Sequence, residues 1–336
     1  MQSDEQNPTF HELGLSEATL ASIEDLGWKV PTPIQRKAIP AAAENRDIVG
    51  IAQTGTGKTG AFMIPTIQRL VIGGGLQTLV LCPTRELAQQ VAEDAEALAR
   101  GSQLQVQAIF GGVSYNPQVK ALKEGYEIIV ATPGRFIDHL RRGTAKLSLV
   151  KVCILDEADR MLDMGFRPQI EEILKALPRE RQTMLFSATM PNGVHDLALR
   201  ITKEALWVEA APPGTTASGI TEITYSVKPE KKPDLLLELL KDPAWDHVLV
   251  FSRTKAGADV LEARLQREGI SADVMHSSRD MKERTRALDR FASAGARGRW
   301  RSRTSPRCPA RRLGRCVRCG ARSLRGPAAR RSSPRG

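Results

Sequence analysis

The 336 residues, 41% apolar and 26% charged, have globular composition and enough length for two domains with buried cores, which excludes a peptide hormone or a small disulfide-stapled fold. The formal charge of +11 is unevenly held: fourteen arginines and no Lys, Asp or Glu fall in residues 297–336, which leaves the first 296 residues at −3. Nucleic-acid binding by the main body must therefore rest on particular side chains and not on net charge. No run of about 18 apolar residues offers a membrane span, and Met1–Thr9 is polar and acidic where a secretory leader is basic and then apolar. The five cysteines, Cys82, Cys153, Cys308, Cys316 and Cys319, are too few and too uneven for a disulfide framework, so a cytoplasmic protein is expected.

In chain order, residues 1–9 read as a disordered N-terminus. From Asp47 onward short apolar runs alternate with longer helix-like segments, the rhythm of parallel strands joined by crossover helices. The expected strands are Asp47–Ala52, Thr78–Cys82, Val106–Phe110, Glu127–Ala131, Val150–Leu155 and Thr183–Ser187, whose aliphatic centres suit a sheet buried on both faces. Between them Thr84–Ala99 carries Leu87, Val91, Ala95 and Leu98 at helical spacing. This pattern predicts a doubly wound α/β domain over residues 10–208. Ala210-Ala211-Pro212-Pro213-Gly214 predicts a linker over 209–220. A second α/β unit is expected over 221–296, with helices at Lys232–Leu240 and Ala256–Glu268 and strands at His247–Phe251 and Ser271–Met275. Beyond Ala296 apolar periodicity ends, which predicts a disordered Arg-rich tail over 297–336.

Ala52-Gln53-Thr54-Gly55-Thr56-Gly57-Lys58-Thr59 follows a predicted strand and opens a predicted helix. That is the setting of a phosphate-binding P-loop, in a variant with Ala52 at the usual first glycine. Its glycines let backbone N–H groups wrap a phosphate, Lys58 reaches the terminal phosphates and the Thr59 hydroxyl can ligate Mg²⁺. Val152-Cys153-Ile154-Leu155-Asp156-Glu157 is an apolar strand ending in two carboxylates. Asp156 suits a Mg²⁺ ligand acting through water, and Glu157 suits a group that orients or deprotonates an attacking water.

With Ala158 and Asp159, those carboxylates spell Asp-Glu-Ala-Asp, and the chain resembles the DEAD-box family of ATP-dependent RNA helicases, whose other motifs stand in order here. Phe10 with Gly27-Trp28-Lys29-Val30-Pro31-Thr32-Pro33-Ile34-Gln35 resembles the segment that recognises adenine, which implies that Gln35 bonds the base edge and Phe10 stacks on it. Pro83-Thr84-Arg85, Gly111-Gly112 and Thr132-Pro133-Gly134-Arg135 resemble segments that hold the RNA sugar-phosphate backbone without reading sequence. Ser187-Ala188-Thr189 resembles the segment that joins Asp159 and couples hydrolysis to strand separation. In the second unit Val248–Thr254, including Phe251, resembles a further RNA-contacting strand, and His276 and Arg284 fall near the next landmarks.

The resemblance implies a RecA-like first domain, an incomplete second RecA-like domain, ATP and Mg²⁺ as cofactors, and RNA as partner. Ser277 and Met281 depart from the family pattern, and after Arg297 its remaining motifs are not recognisable; Arg311-Arg312-Leu313-Gly314-Arg315 comes too soon after His276 with no strands between. The expectation is a second domain cut short by an out-of-frame tail, with a natural basic tail as the other reading. Two further functions stay open: an ATP- and RNA-binding module with little turnover, and a DNA helicase or translocase of the same superfamily. Cys316-Val317-Arg318-Cys319 lacks partners for a zinc site.

Overall fold

The computed structural model describes residues 9–209, 223–242, 245, 247–293, 299–303 and 316–318. It divides into two compact units, Met1–Ser218 and Gly219–Gly336. The expected disordered N-terminus, linker and most of the expected tail lie outside the described residues, as do Cys308 and Cys319.

The first unit opens with a 3₁₀ turn at Phe10–Leu13, then helices α1 (Glu17–Asp25) and α2 (Pro33–Ala43). Proline at the first position of α2 costs nothing, since that N–H has no partner inside the helix. Next come β1 (Ile48–Ile51), α3 (Lys58–Ile67), β2 (Thr78–Leu81), α4 (Arg85–Ala99), β3 (Val106–Ile109), α5 (Asn116–Glu124), β4 (Ile128–Ala131) and α6 (Pro133–Arg141). They are followed by β5 (Val152–Leu155), α7 (Ala158–Asp163), α8 (Arg167–Ala176), β6 (Gln182–Ser187), α9 (Asn192–Ile201) and β7 (Leu206–Glu209). The strands form one sheet in the order β3-β4-β2-β5-β6-β1-β7, and every pairing is parallel.

Successive strand residues bury toward opposite faces, which is why the strands read as unbroken apolar runs. Ile48, Val152 and Ile154 join a core with helices α1 to α4, while Val49, Cys153 and Leu155 join a second core with helices α6 to α9. Gly50 in β1 is required by packing: a Cβ there would lie 2.5 Å from the Phe186 ring. That ring meets Phe62 of α3 at 5.3 Å between centroids, an aromatic pair worth about 1 kcal/mol beyond its area. Strand β7 was not among the expected strands. It is a four-residue edge strand whose apolar run, Leu206-Trp207-Val208, is short, and it buries only Val208 fully and leaves Trp207 40% exposed.

In the second unit α10 (Lys232–Leu240), β8 (Val248–Phe251), α11 (Lys255–Arg267) and β9 (Ser271–Met275) fall where periodicity places them. Its core gathers Leu236, Val248, Val250, Leu265 and Ala272. Helix α12 (Met281–Ser293) was not expected, because six of its thirteen residues are charged and, among its residues of described burial, Ala287 alone is fully buried. Two short strands correct the expectation of a structureless tail. β10 (Arg299–Arg303) lies between β8 and β9, parallel to both, and β11 (Cys316–Arg318) pairs with β8. β10 also stands between His276 and Arg311, where no strand was expected. Ladder hydrogen bonds use backbone groups that any residue but proline supplies, so a strand can form without an apolar pattern.

Candidate functional site

The ligand end of a parallel α/β sheet is the edge where its strands finish, and the chemistry-bearing residues stand there. After β1 the loop 52–57 is tied to β6 by the Ala52 N–H, which donates to the Ser187 carbonyl at 2.9 Å. Gly55 and Gly57 both have φ of +89°, a left-handed conformation that side-chain-bearing residues resist, and they turn the loop's backbone around a concavity. The Thr56 hydroxyl donates to the Gln53 carbonyl at 2.7 Å and fixes the turn. Lys58 begins α3 and Thr59 follows it, half-buried.

Lys58 is 6% exposed, and its ammonium has no hydrogen-bond partner. Its nearest anion is the Asp156 carboxylate at 3.7 Å, beyond hydrogen-bond length. A buried ammonium left so poorly partnered is costly, and an incoming phosphate oxygen would complete its shell. Asp156, 3% exposed at the end of β5, has its carboxyl raised above the ordinary range chiefly by burial, with the Lys58 charge opposing that rise. Its Oδ1 accepts from the Glu157 N–H at 2.9 Å.

Glu157 has φ of +52°, rare for a residue with a side chain and worth roughly 1–3 kcal/mol of backbone strain. The strain aims its carboxylate at the P-loop: Oε1 accepts from the Thr54 hydroxyl at 3.2 Å, and Oε2 lies 3.3 Å from Arg160 Nη1. A hydroxyl at Thr59 and a carboxylate at Asp156 are hard oxygen donors that fit Mg²⁺. Among the described residues no group of three or more His, Cys, Asp or Glu forms a protein cage. One carboxylate beside a phosphate cradle suits an ion that keeps waters and substrate phosphates as its other ligands.

Gln35 and Phe10, the two residues expected at the base pocket, are both buried. Gln35, 3% exposed, accepts from the Thr32 N–H at 2.8 Å and donates to the Gly57 carbonyl at 3.0 Å. It therefore braces the P-loop, a role that reading the motif alone missed, and its amide keeps one N–H and one lone pair for a further partner. Gly57 and Gly60 permit this approach, because a Cβ at either would come within 2.7 Å of Gln35 Nε2. The 3₁₀ turn carries Phe10 into the core at 3% exposure.

Asp159, 1% exposed, accepts at Oδ2 from the Thr189 hydroxyl at 2.6 Å and its N–H at 3.1 Å. The Asp159 N–H donates to Ser187 Oγ at 3.2 Å, and Ser187 Oγ donates to the Thr189 carbonyl at 2.7 Å. The three coupling residues thus form one buried network between the start of α7 and the end of β6.

Beyond the ends of β2, β3 and β4 the nucleic-acid candidates converge. Thr84 caps α4, its hydroxyl accepting from the Leu87 N–H at 3.2 Å, a bond worth about 1 kcal/mol. Arg85 is the first residue of that helix and Pro133 the first of α6, so two positive helix ends face the same edge. Arg85 lies against the loop after β3: a Cβ on Gly112 would sit 1.9 Å from its Nη1, and one on Gly111 3.8 Å from its Nη2 and 3.9 Å from Arg135 Nη2. Gly134 has open space around it, and Thr132 and Pro133 are buried beneath.

Arg135 is held by neighbours that no motif announced. Its Nη1 lies 3.3 Å from Gln118 Oε1 and 3.4 Å from the Val113 carbonyl, and its guanidinium stands 5.6 Å from the Tyr115 ring. Tyr115 stacks on the fully buried His139 at 4.2 Å and 6° between planes, and Arg142 lies 4.8 Å from the same ring. Gln118 Nε2 donates to the Phe110 carbonyl, so its Oε1 faces His139 Nε2 at 3.2 Å as an acceptor. His139 Nδ1 lies 2.9 Å from the Thr144 hydroxyl, which also donates to the His139 carbonyl at 2.9 Å, so both ring nitrogens are engaged. Burial, then the Arg135 charge, lowers its pKa to about 4.

In the second unit Phe251 is half-buried at the end of β8, and His276 Nε2 meets Asp259 at 2.9 Å. Cys82 and Cys153 are buried thiols; burial pushes Cys153 up to about 12 and Cys82 well above its ordinary value, so neither is a nucleophile. No helix among the described residues is long and apolar enough to cross a membrane.

The DEAD/DEAH box helicase pattern matches residues 32–197, and the helicase conserved C-terminal domain matches residues 231–298. The DEAD-box ATP-dependent RNA helicase CshA of Geobacillus kaustophilus (strain HTA426) is 43% identical over 284 residues, which is 84% of this chain; the chain spans 61% of that relative's length. Among solved structures, S. cerevisiae Dbp5 bound to RNA and ADP BeF3 is similar with a TM-score of 0.79 at 30% identity, over 88% of this chain and 75% of that one. A DEAD box protein from the hyperthermophile Methanococcus jannaschii is similar with a TM-score of 0.59 at 36% identity, over 88% and 80%.

Proposed function

Because the chain belongs to the DEAD/DEAH box helicase family, we propose that it hydrolyses ATP and uses the cycle to grip RNA by its backbone and separate short duplexes. The observation that carries the reading is the meeting of two strand ends: the unpartnered Lys58 ammonium beside Asp156, and Thr54 of the phosphate loop bonded to Glu157. Phosphate chemistry of this kind needs positioning and charge stabilisation more than covalent help.

In this reading the backbone N–H groups of residues 53–58 and the Lys58 ammonium hold the β- and γ-phosphates. Thr59 and Asp156 are the residues that would hold Mg²⁺, which when bound neutralises charge on the phosphate oxygens. Glu157 accepts the proton of the attacking water, its carboxylate already aimed at the loop by its left-handed backbone. The free N–H and lone pair of Gln35 select adenine, and its existing bond to Gly57 links base recognition to loop shape. Arg85, Gly111-Gly112 and Thr132–Arg135 hold the sugar-phosphate backbone, the Phe251 segment adds a contact of the second unit, and the Asp159–Ser187–Thr189 network relays the state of the phosphate site.

The test is RNA-stimulated hydrolysis with Glu157→Gln as the control. The variant keeps an acceptor for Thr54 but lacks the base, so turnover falls by at least about 100-fold while ATP binding stays within about twofold. Retained turnover in Glu157→Gln refutes the base, and a wild-type chain whose hydrolysis ignores single-stranded RNA refutes the helicase reading.

A further inference from the structure

The edge of the first sheet opposite the phosphate loop, where the strands begin, contains a cavity of about 730 Å³. Each of five separate connections sends one cation to it: Arg46 from before β1, Arg69 from after α3, Lys151 from before β5, Arg181 from before β6 and Lys203 from before β7. Three carboxylates also line it. Asp47 spends both oxygens on backbone, accepting from the Thr183 and Lys203 N–H groups at 2.7 Å each, and so fixes the frame of the cavity. Glu180 meets Lys203 at 3.7 Å while 95% exposed, and Glu204 is exposed as well, so neither neutralises the inner guanidinium groups.

Those inner groups are incompletely satisfied. Arg69 is held by Asn45 and Gln182 through its terminal nitrogens, yet its Nε is buried without a partner. Arg181 donates to the Pro178 carbonyl at 2.7 Å, and its Nε is likewise buried and unpartnered. Arg46 and Lys151 are exposed at the mouth and make no ion pair among the described residues. The Nε atoms of Arg69 and Arg181 are both closed off from the cavity, so these two side chains act on a ligand there through their positive charge.

We propose that this cavity is a second, non-catalytic site for a small polyphosphate ester, a ligand carrying two or more linked phosphates. Five cations from five loops surround one concavity and do not run along a track, which favours a compact ligand over a nucleic-acid strand. Guanidinium groups match phosphate oxygens in geometry and charge, and the mouth lysines add attraction at longer range. The ligand rests on side chains remote from the phosphate loop, so the site stands or falls independently of the function proposed above.

Lysine footprinting on the full chain tests it, because the Arg-rich segment 297–336 contains no lysine to label. The chain carries Lys58→Ala, which disables the phosphate loop, and is acylated with an amine-reactive reagent with and without inorganic tripolyphosphate; each site is read by mass spectrometry. The expected result is at least fivefold slower labelling of Lys151 and Lys203, with Lys120 and Lys123 unchanged. Arg46→Glu and Arg181→Gln each abolish most of that protection; Arg46 is exposed, so its variant folds even if Arg181→Gln does not. A guanosine nucleotide arm separates sources: protection by tripolyphosphate and nucleotide alike marks the phosphate chain as the recognised group. Equal protection of all lysines, none at Lys151 and Lys203, or protection by single-stranded RNA but not by tripolyphosphate overturns the proposal.

Discussion

Replacing Gly112 by alanine isolates the arginine side of the proposed RNA interface. The new methyl carbon would stand 1.9 Å from Arg85 Nη1 and 2.7 Å from its Cζ, so the guanidinium must leave its place. The backbone adds a second penalty, since φ of +82° costs a non-glycine residue about 1–2 kcal/mol. For a unit of this size that strain lowers the melting temperature by about 2–8 °C, which leaves the protein folded at 25 °C. Losing one charge-assisted phosphate contact costs about 1.5–3 kcal/mol, so RNA affinity should fall roughly tenfold to a hundredfold. Gly193→Ala in α9 is the internal control: its Cβ would meet only Leu162 Cδ1 at 3.8 Å, an ordinary contact distance, and affinity should stay within about twofold. Fluorescence anisotropy with a short single-stranded RNA, beside nucleotide binding and a thermal melt, reads all three effects. If folded Gly112→Ala binds RNA as tightly as wild type, Arg85 is not a phosphate contact and the interface has been misplaced.

Thr189→Val removes a hydroxyl bonded at 2.6 Å to the buried Asp159, a loss of about 1–3 kcal/mol. Duplex unwinding should fall more steeply than RNA-independent hydrolysis; equal loss of both would show that the network supports the fold and not the coupling. His139 has its pKa lowered from 6.5 to about 4, so between those values the unfolded chain binds the proton that the folded chain refuses. Stability of the first unit should therefore decline as pH falls from 6.5 toward 4, and the slope should flatten in His139→Gln; an unchanged slope in that variant would show that His139 does not titrate as its burial requires. His139→Gln should also weaken RNA binding more than nucleotide binding, because Gln118 and Tyr115 would no longer fix Arg135. That split is measured by the same anisotropy and nucleotide titrations.

Much of the fold was legible in the sequence because its parallel strands are buried on both faces. Residues such as Ile48 and Val49, or Cys153 and Ile154, must all be apolar when neighbours point into different cores, and the resulting runs stand out from the helices. The same legibility failed at the margins. β7 is a four-residue edge strand with one fully buried residue, six of the thirteen residues of α12 are charged, and β10 and β11 rest on backbone pairing, so none of them shows the long apolar pattern by which elements are recognised.

The Gly-rich loop 52–57, the paired carboxylates Asp156 and Glu157 and the proposed coupling residues Asp159, Ser187 and Thr189 stand out in local order, since each lies in a short segment at a strand end. What only the tertiary structure decided were relations between segments distant in sequence. Gln35 turned out to brace Gly57, Phe10 to sit in the core, and Tyr115, Gln118 and His139 to hold Arg135. The five cations at the far edge of the sheet belong to five different connections, and nothing local marks any one of them. A sequence determines which groups a chain carries and in what period; which of them share a cavity is settled by how crossovers stack the strands, and charge, hydrogen bonding and burial act only once that distance is set.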